Sequence, residues 1–124
     1  MSLSINLTEE DPHSGGIWCA SGMPFYTLFQ KLLLEIGLTE NGNFIINDKK
    51  KLQELIETIE IELRKLMNEK STSSKRKHNF IFEGKFYHLN VRLPEDALIN
   101  NVLITKNLTL LALKTGNGIM INID

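Results

Sequence analysis

The sequence predicts an α+β fold, a two-layer domain with a mainly antiparallel sheet of five to six strands and two helices packed on one face. The hydrophobic pattern has a helical period before residue 69 and a period of two after residue 79. A possible first strand, "SLSINL" at residues 2–7, precedes the helices. Helices segregated from a run of strands are typical of this class, here in the order β-α-α-β-β-β-β-β.

Two amphipathic helices are expected in the first half of the chain. In "PFYTLFQKLLLEIG" apolar residues recur at three- and four-residue spacing, with Ser21 as a candidate N-cap and Gly37 as a C-cap. "NDKKKLQELIETIEIELRKLMNEK" has one apolar stripe and a charged opposite side, with Asn47 or Asp48 as its N-cap. The "NFII" between them predicts only a short extended piece.

The second half of the chain has the alternating pattern of strands. "NFIFEGKFYHLNVRLP" predicts a hairpin whose two-residue turn is either Glu83-Gly84 or Gly84-Lys85. Either turn places both phenylalanines of "NFIF" on the same face as Tyr87, toward the core. Three further strands are expected near residues 101–106, 108–114 and 118–123.

Length and composition limit the possible classes of protein. A chain of 124 residues fits a single domain over 1–124, and the Ser- and Lys-rich segment 69–79 is expected to be a flexible basic loop. Fourteen basic and fifteen acidic residues give a net charge of -1, so no overall field attracts nucleic acid or a membrane. The absence of a long apolar run and of a signal peptide pattern predicts a cytoplasmic protein. No cofactor and no metal site are expected, because one cysteine and three scattered histidines match no zinc pattern.

The stretch "HSGGIWCASGMPFYTLFQ", residues 13–30, contains the only tryptophan and the only cysteine. We expect Trp18 to anchor this loop in the edge of the core and Cys19 to fill buried space, since a lone intracellular cysteine usually behaves as a small apolar residue. The "GG" and "SG" pairs would also suit an anion-binding loop, although neither a Walker motif nor a dinucleotide fingerprint is present.

A catalytic alternative uses the same cysteine. Cys19 is expected within about one turn of a helix N-terminus, where the thiol pKa is lowered, and His88 and Asn90 project from one face of a predicted strand. The chain order Cys, His, Asn resembles papain-like and related peptidoglycan-amidase cysteine hydrolases. This resemblance implies Cys19 as nucleophile, His88 as its base and Asn90 as the residue that orients the imidazole.

The C-terminal strands are unusually apolar on both faces. Four residues are left over once one face is packed: Val102, Leu111, Leu113 and Met120. Such a surplus indicates a homodimer contact or a surface for a protein partner.

Two basic clusters raise the possibility of nucleic-acid binding. Lys49–Lys51 begin the second predicted helix, and a second cluster of Lys75, Arg76 and Lys77 follows its far end. Because that helix is about 30 Å long and carries several glutamates between the clusters, they cannot form one compact patch. Nucleic-acid binding is therefore possible but not favoured.

The sequence thus predicts a small cytoplasmic, non-catalytic protein-binding or adaptor domain of the immunity-protein, chaperone or regulator type. It acts through an apolar sheet or helix surface, either on a protein partner or by self-association. A cysteine hydrolase is the first alternative and a nucleic-acid-binding module the second.

Overall fold

The computed structural model describes residues 1–8, 16–38 and 42–124. These residues form three helices: α1 (Pro24–Glu35), α2 (Lys49–Asn68) and α3 (Pro94–Thr115). They also form six strands: β1 (Ser2–Leu7), β2 (Ile17–Ala20), β3 (Gly42–Ile46), β4 (Phe80–Phe82), β5 (Lys85–Tyr87) and β6 (Ile119–Ile123). The predicted α+β class is confirmed, and the order of elements is β-β-α-β-α-β-β-α-β.

Four strands make one antiparallel sheet in the order β2-β1-β6-β3, while β4 and β5 pair separately as a hairpin. Because side chains alternate along a strand, one face of the sheet is apolar throughout. Its buried members are Leu3, Ile5, Leu7, Ile17, Cys19, Ile46, Ile119, Ile121 and Ile123. They form one core cluster with the buried residues of the three helices, so the helices cover this face.

The two predicted helices are confirmed as α1 and α2, but only one of them begins at a predicted N-cap residue. Asp48 is the N-cap of α2, and its side chain accepts a hydrogen bond from the Lys50 backbone N–H. The predicted Ser21 cap of α1 is wrong, because Met23 occupies the N-cap position and provides no side-chain hydrogen bond. Gly37 follows directly on the last helical turn with a φ of 80°.

The hairpin forms with Glu83-Gly84 as its turn, and both residues have positive φ, as a tight two-residue turn requires. The hairpin strand nevertheless ends at Tyr87, earlier than predicted. Beyond it, the Asn79 side chain donates to the Leu89 carbonyl oxygen and accepts from the Leu89 N–H, both at 2.7 Å. These two hydrogen bonds of the Asn79 side chain take the place of the strand pairing that was predicted to continue beyond Tyr87.

The main correction is α3, which occupies the segment where strands near 101–106 and 108–114 were predicted. The run "VLITKNLTLLALK" is rich in β-branched residues and apolar on every side, so it fits a period of two as well as a helical period. Two buried threonines are accommodated in the helix because Thr105 and Thr109 donate to carbonyl oxygens four residues earlier. The last predicted strand, near 118–123, is confirmed as β6.

Candidate functional site

The face of the four-stranded sheet that points away from the helices is its open face. It is formed by Ser2, Ser4, Asn6, Trp18, Ala20, Asn43, Ile45, Met120 and Asn122. Trp18 is 68% exposed, Ile45 54% and Met120 37%. A single exposed apolar residue is common on protein surfaces. Three large apolar side chains on one face of a sheet mark an area where contact with another molecule is favourable.

The strand register sets the pattern across the open face. Trp18 on the edge strand β2 lies opposite Ser4, and Ser4 lies opposite Asn122 on β6. Met120 lies opposite Ile45 on the other edge strand, β3. The apolar groups therefore lie on both edge strands and on β6, while Ser4 and Asn122 lie in the same row across the sheet as Trp18.

The polar groups in the middle are partly satisfied within the sheet. The Asn122 side-chain amide donates to the Ser4 hydroxyl at 3.2 Å. Burying this bonded pair under an apolar partner surface costs less free energy than burying two polar groups whose only hydrogen bonds are to water. A depression of about 280 Å³ adjoins this area and is lined by Asn43, Phe44, Ile45, Met120 and Asn122.

The four strands of the sheet contain no Lys, Arg, His, Asp or Glu residue. Exposed sheets and edge strands of isolated proteins are usually protected by charged side chains, above all by lysine. Neither edge strand has that protection, although β2 and β3 carry the most exposed apolar residues of the sheet. This composition is typical of a surface that is covered when the protein functions.

Trp18 does not anchor the loop in the core, so that prediction is wrong. Trp18 and Cys19 are neighbours on β2, and successive side chains of a strand point to opposite faces. Only one of the two can therefore face the helices, and Cys19 is that residue, with no exposed surface. The exposed tryptophan was missed because β2 is only four residues long and was not recognised as a strand.

The three residues of the catalytic alternative lie in very different surroundings. Cys19 is enclosed within β2 opposite Leu3, and burial raises the pKa of its thiol rather than lowering it as expected. His88 is exposed in the connection between β5 and α3, which is not a strand. The Asn90 side-chain oxygen accepts the Arg92 backbone N–H, so it already has a local partner.

The four predicted binding residues separate into two groups. Met120 belongs to the open face, whereas Val102, Leu111 and Leu113 lie on α3, behind the sheet. Val102 is buried and Leu113 is half-buried, but Leu111 is 42% exposed. Leu110, the preceding residue of the helix, is 40% exposed as well.

The two basic clusters also differ in their roles. Lys51 donates to the Ile36 carbonyl oxygen at 2.6 Å, at the C-terminus of α1, and to Glu54 at 3.1 Å. This lysine therefore stabilises the end of a neighbouring helix that has no basic residue in its own last turn. The second cluster, Lys75 to Lys77, is exposed and forms no ion pair within the described residues.

Comparison with protein-family models, with curated proteins and with solved structures gives no significant match. In the described part of the chain, no three His, Cys, Asp or Glu residues are grouped as they would be to hold a metal ion. None of the helices described is both long enough and apolar enough to cross a membrane.

Proposed function

We propose that this chain is a non-catalytic protein-binding domain whose contact surface is the open face of the sheet. The observation that carries the proposal is that Trp18, Ile45 and Met120 are exposed on a sheet whose four strands contain no charged residue. Tryptophan is among the residues that contribute most to protein interfaces, and charged residues are depleted from interface centres.

A protein partner fits this face better than a nucleic acid does. Nucleic-acid affinity depends mainly on contacts between Lys or Arg and phosphate, and an RNA-binding sheet usually offers two or three stacked aromatic rings. The open face has one aromatic ring and no Lys or Arg within its strands. The expected partner is therefore an uncharged, largely apolar protein surface.

A cytoplasmic setting is part of the proposal. Cys19 is the only cysteine in the chain and it is unpaired. A free thiol suits a reducing compartment, although it does not require one.

Photo-crosslinking in the cells that express the protein tests this function. A benzophenone amino acid replaces Trp18, which is 68% exposed, in one variant and Ile61 on α2, which is 55% exposed, in a control. We expect an adduct of defined mass from position 18 only, and we expect Ile45→Lys to abolish it. The crosslinked protein is then identified by mass spectrometry and must bind again when purified.

Two results would overturn the proposal. One is an equal yield of the same adduct from position 61, because the contact would then not be specific to the sheet. The other is no adduct from position 18 under conditions in which the free amino acid crosslinks control proteins.

A further inference from the structure

We infer that the partner protein places an extended, uncharged segment of its own chain beside β3, where it becomes a fifth strand of the sheet. This inference rests on the proposed function and specifies which part of the partner is recognised. The argument comes from the hydrogen bonds of the sheet, from the difference between its two edge strands, and from the side chains of β3.

Hydrogen bonds just beyond both ends of β6 establish which of its residues bond to β1. The Thr8 N–H donates to the Gly118 carbonyl oxygen at 3.1 Å, and the Asp124 N–H donates to the Ser2 carbonyl oxygen at 3.0 Å. Successive residues of an antiparallel strand direct their N–H and C=O groups to opposite sides. The even-numbered residues of β6 therefore bond to β1, and the odd-numbered residues bond to β3.

Asn43 and Ile45 of β3 consequently have unpaired backbone groups. They lie opposite Asn122 and Met120, which are even-numbered residues of β6 and bond to β1. The N–H and C=O groups of Asn43 and Ile45 thus point to the free side of β3, and no hydrogen bond among the described residues closes that side. Unpaired backbone groups on an edge strand are recognised by another extended chain, which supplies the matching donors and acceptors.

The opposite edge of the sheet is less open. On β2 the Ala20 carbonyl oxygen already accepts the Met23 N–H at 3.1 Å, where the chain turns into α1. On β3, by contrast, all five residues pair with β6 in an unbroken register. A bulge, a proline or a lysine usually protects an edge strand, and the strand β3 contains none of these. β3 is therefore the edge that can accept a further strand.

The open face alone is small for a stable complex. Four strands of about five residues cover roughly 19 Å by 17 Å, or ~320 Å² in projection. Stable complexes bury about 800 Å² of accessible surface on each partner. A segment paired with β3 extends the contact past the edge of the sheet and adds backbone hydrogen bonds, which supply affinity in this mode of binding.

The side chains of β3 specify the segment. Ile45 is exposed on the open face, and Phe44 is half-buried on the opposite side of the strand. The residues of the segment that lie beside Ile45 and Phe44 are therefore expected to be apolar, because neighbouring side chains on adjacent strands contact each other. A charged residue finds no opposite charge on β3. Proline is excluded where the segment must donate an N–H to Asn43 or Ile45.

The segment is expected in a different protein rather than in a second copy of this chain. Outside the sheet, the longer connections that the structure describes are residues 69–79 and 88–93, and both carry basic side chains. Neither connection is therefore the uncharged segment that β3 requires.

Hydrogen exchange of the ¹⁵N-labelled full chain tests the pairing directly. It is measured by NMR with and without the purified partner protein that crosslinking at position 18 identifies. In the free chain we expect the amide protons of Asn43 and Ile45 to exchange rapidly, whereas those of Phe44 and Ile46, which bond to β6, exchange slowly. In the saturated complex we expect exchange at Asn43 and Ile45 to slow by about ten-fold or more.

Two variants at one position separate the backbone from the side chain. Ile45→Ala removes the apolar side chain and keeps the N–H, whereas Ile45→Pro removes both. Proline is tolerated where the N–H of an edge strand points outward. We expect Ile45→Pro to bind the partner about ten-fold more weakly than Ile45→Ala, because a carbonyl oxygen of the partner is left without its donor.

Ile81→Pro is the matched control, because Ile81 on β4 is 55% exposed and Ile45 is 54% exposed. It should bind the partner within about two-fold of the unchanged protein, the usual range for exposed positions outside a contact. Circular dichroism verifies that each variant is folded. If Ile45→Pro is not folded, Asn43→Pro is compared with Asn43→Ala, since the Asn43 N–H also points outward.

Three outcomes would overturn the inference. The first is unchanged exchange at Asn43 and Ile45 in the saturated complex, and the second is equal affinity of Ile45→Ala and Ile45→Pro for the partner. In both cases the proposed function stands, because the partner still crosslinks at position 18. The third is an adduct from position 18 with twice the mass of 14.1 kDa, which identifies a second copy. The absence of any specific adduct overturns the proposed function as well.

Discussion

Lys70 and Asp96 join the end of α2 to the start of α3, with Lys70 Nζ 3.0 Å from Asp96 Oδ1. Asp96 is almost fully buried and also accepts the Asn90 backbone N–H at 2.7 Å. Burial opposes its ionisation, but the Asn90 N–H, Lys70 and the charge of His88 together hold the pKa of Asp96 below its usual value. The carboxylate thus fixes the connection through which the hairpin leads into α3.

This ion pair predicts a specific loss of stability on acidification. Since the pKa of Asp96 is lower in the folded chain, its contribution to the free energy of unfolding is present above about pH 4 and is lost as pH falls through the folded value. We expect Asp96→Asn to lower the free energy of unfolding at neutral pH by roughly 2 kcal/mol. Urea titrations across the acid range should show this difference narrowing below pH 4.

Glu95→Gln is the matched control, because Glu95 is exposed in the same first turn of α3. It removes an equal charge from the helix N-terminus but no contact with Lys70. An equal effect of both variants would mean that the helix dipole, rather than the ion pair, is responsible.

Cys19 is expected to be a packing residue with an unreactive thiol. Burial raises the pKa of this thiol, so we expect slow modification by a thiol reagent in the native protein and rapid modification in denaturant. Cys19→Ala should retain the crosslink from position 18, whereas Cys19→Ser should cost about 1–3 kcal/mol in the free energy of unfolding by enclosing a hydroxyl that has no hydrogen-bond partner. Rapid native modification at neutral pH would instead support the hydrolase alternative.

Gly118 is expected to be irreplaceable for steric reasons. A Cβ at Gly118 would lie 2.7 Å from the Ile46 carbonyl oxygen and 2.9 Å from Asn47 Cβ. We expect Gly118→Ala to lower the free energy of unfolding by about 1–3 kcal/mol. Gly22→Ala is the control, since nothing described lies within 4 Å of its Cβ, and it should be neutral or slightly stabilising. Equal thermal shifts for the two variants would contradict this explanation.

The exposed basic cluster is expected to be dispensable. Replacing Lys75, Arg76 and Lys77 together by Ala should leave the yield of the adduct from position 18 within about two-fold and the free energy of unfolding within about 0.5 kcal/mol. Binding of single-stranded oligonucleotides, measured by fluorescence anisotropy at two salt concentrations, tests the nucleic-acid alternative directly. Salt-sensitive binding that the triple variant abolishes would favour that alternative.

The sequence predicted the elements whose periodicity is unambiguous. The stripe of α2 follows from local physical rules that tertiary contacts did not override. Its Asp48 cap and the Glu83-Gly84 turn are each one of the two alternatives that the sequence left open. The helix α3 was missed because its apolar residues cover the whole circumference. Its ends gave a signal: Pro94 begins it and Gly116 ends it with a left-handed conformation, and no glycine or proline interrupts the residues between them.

The open face was predictable only in part. Met120 was identified as a surplus apolar residue, but Trp18 was assigned to the core because large aromatic residues are usually buried there. The neighbouring positions of Trp18 and Cys19 show that only one can be buried once β2 is known to be a strand. Which one is buried depends on the helices that cover the sheet, and this is a tertiary property.

The fluorescence of Trp18 tests the central claim most directly, because this is the only tryptophan in the chain and it lies on the open face. Emission is recorded while the partner protein identified by crosslinking is added to the purified chain, and the emission of the partner alone is subtracted. We predict that the emission shifts to shorter wavelength and that acrylamide quenching weakens in step with complex formation, as the indole leaves water. Saturated complex formation while Trp18 keeps the emission and quenching of an exposed indole would contradict the claim that the open face is the contact surface.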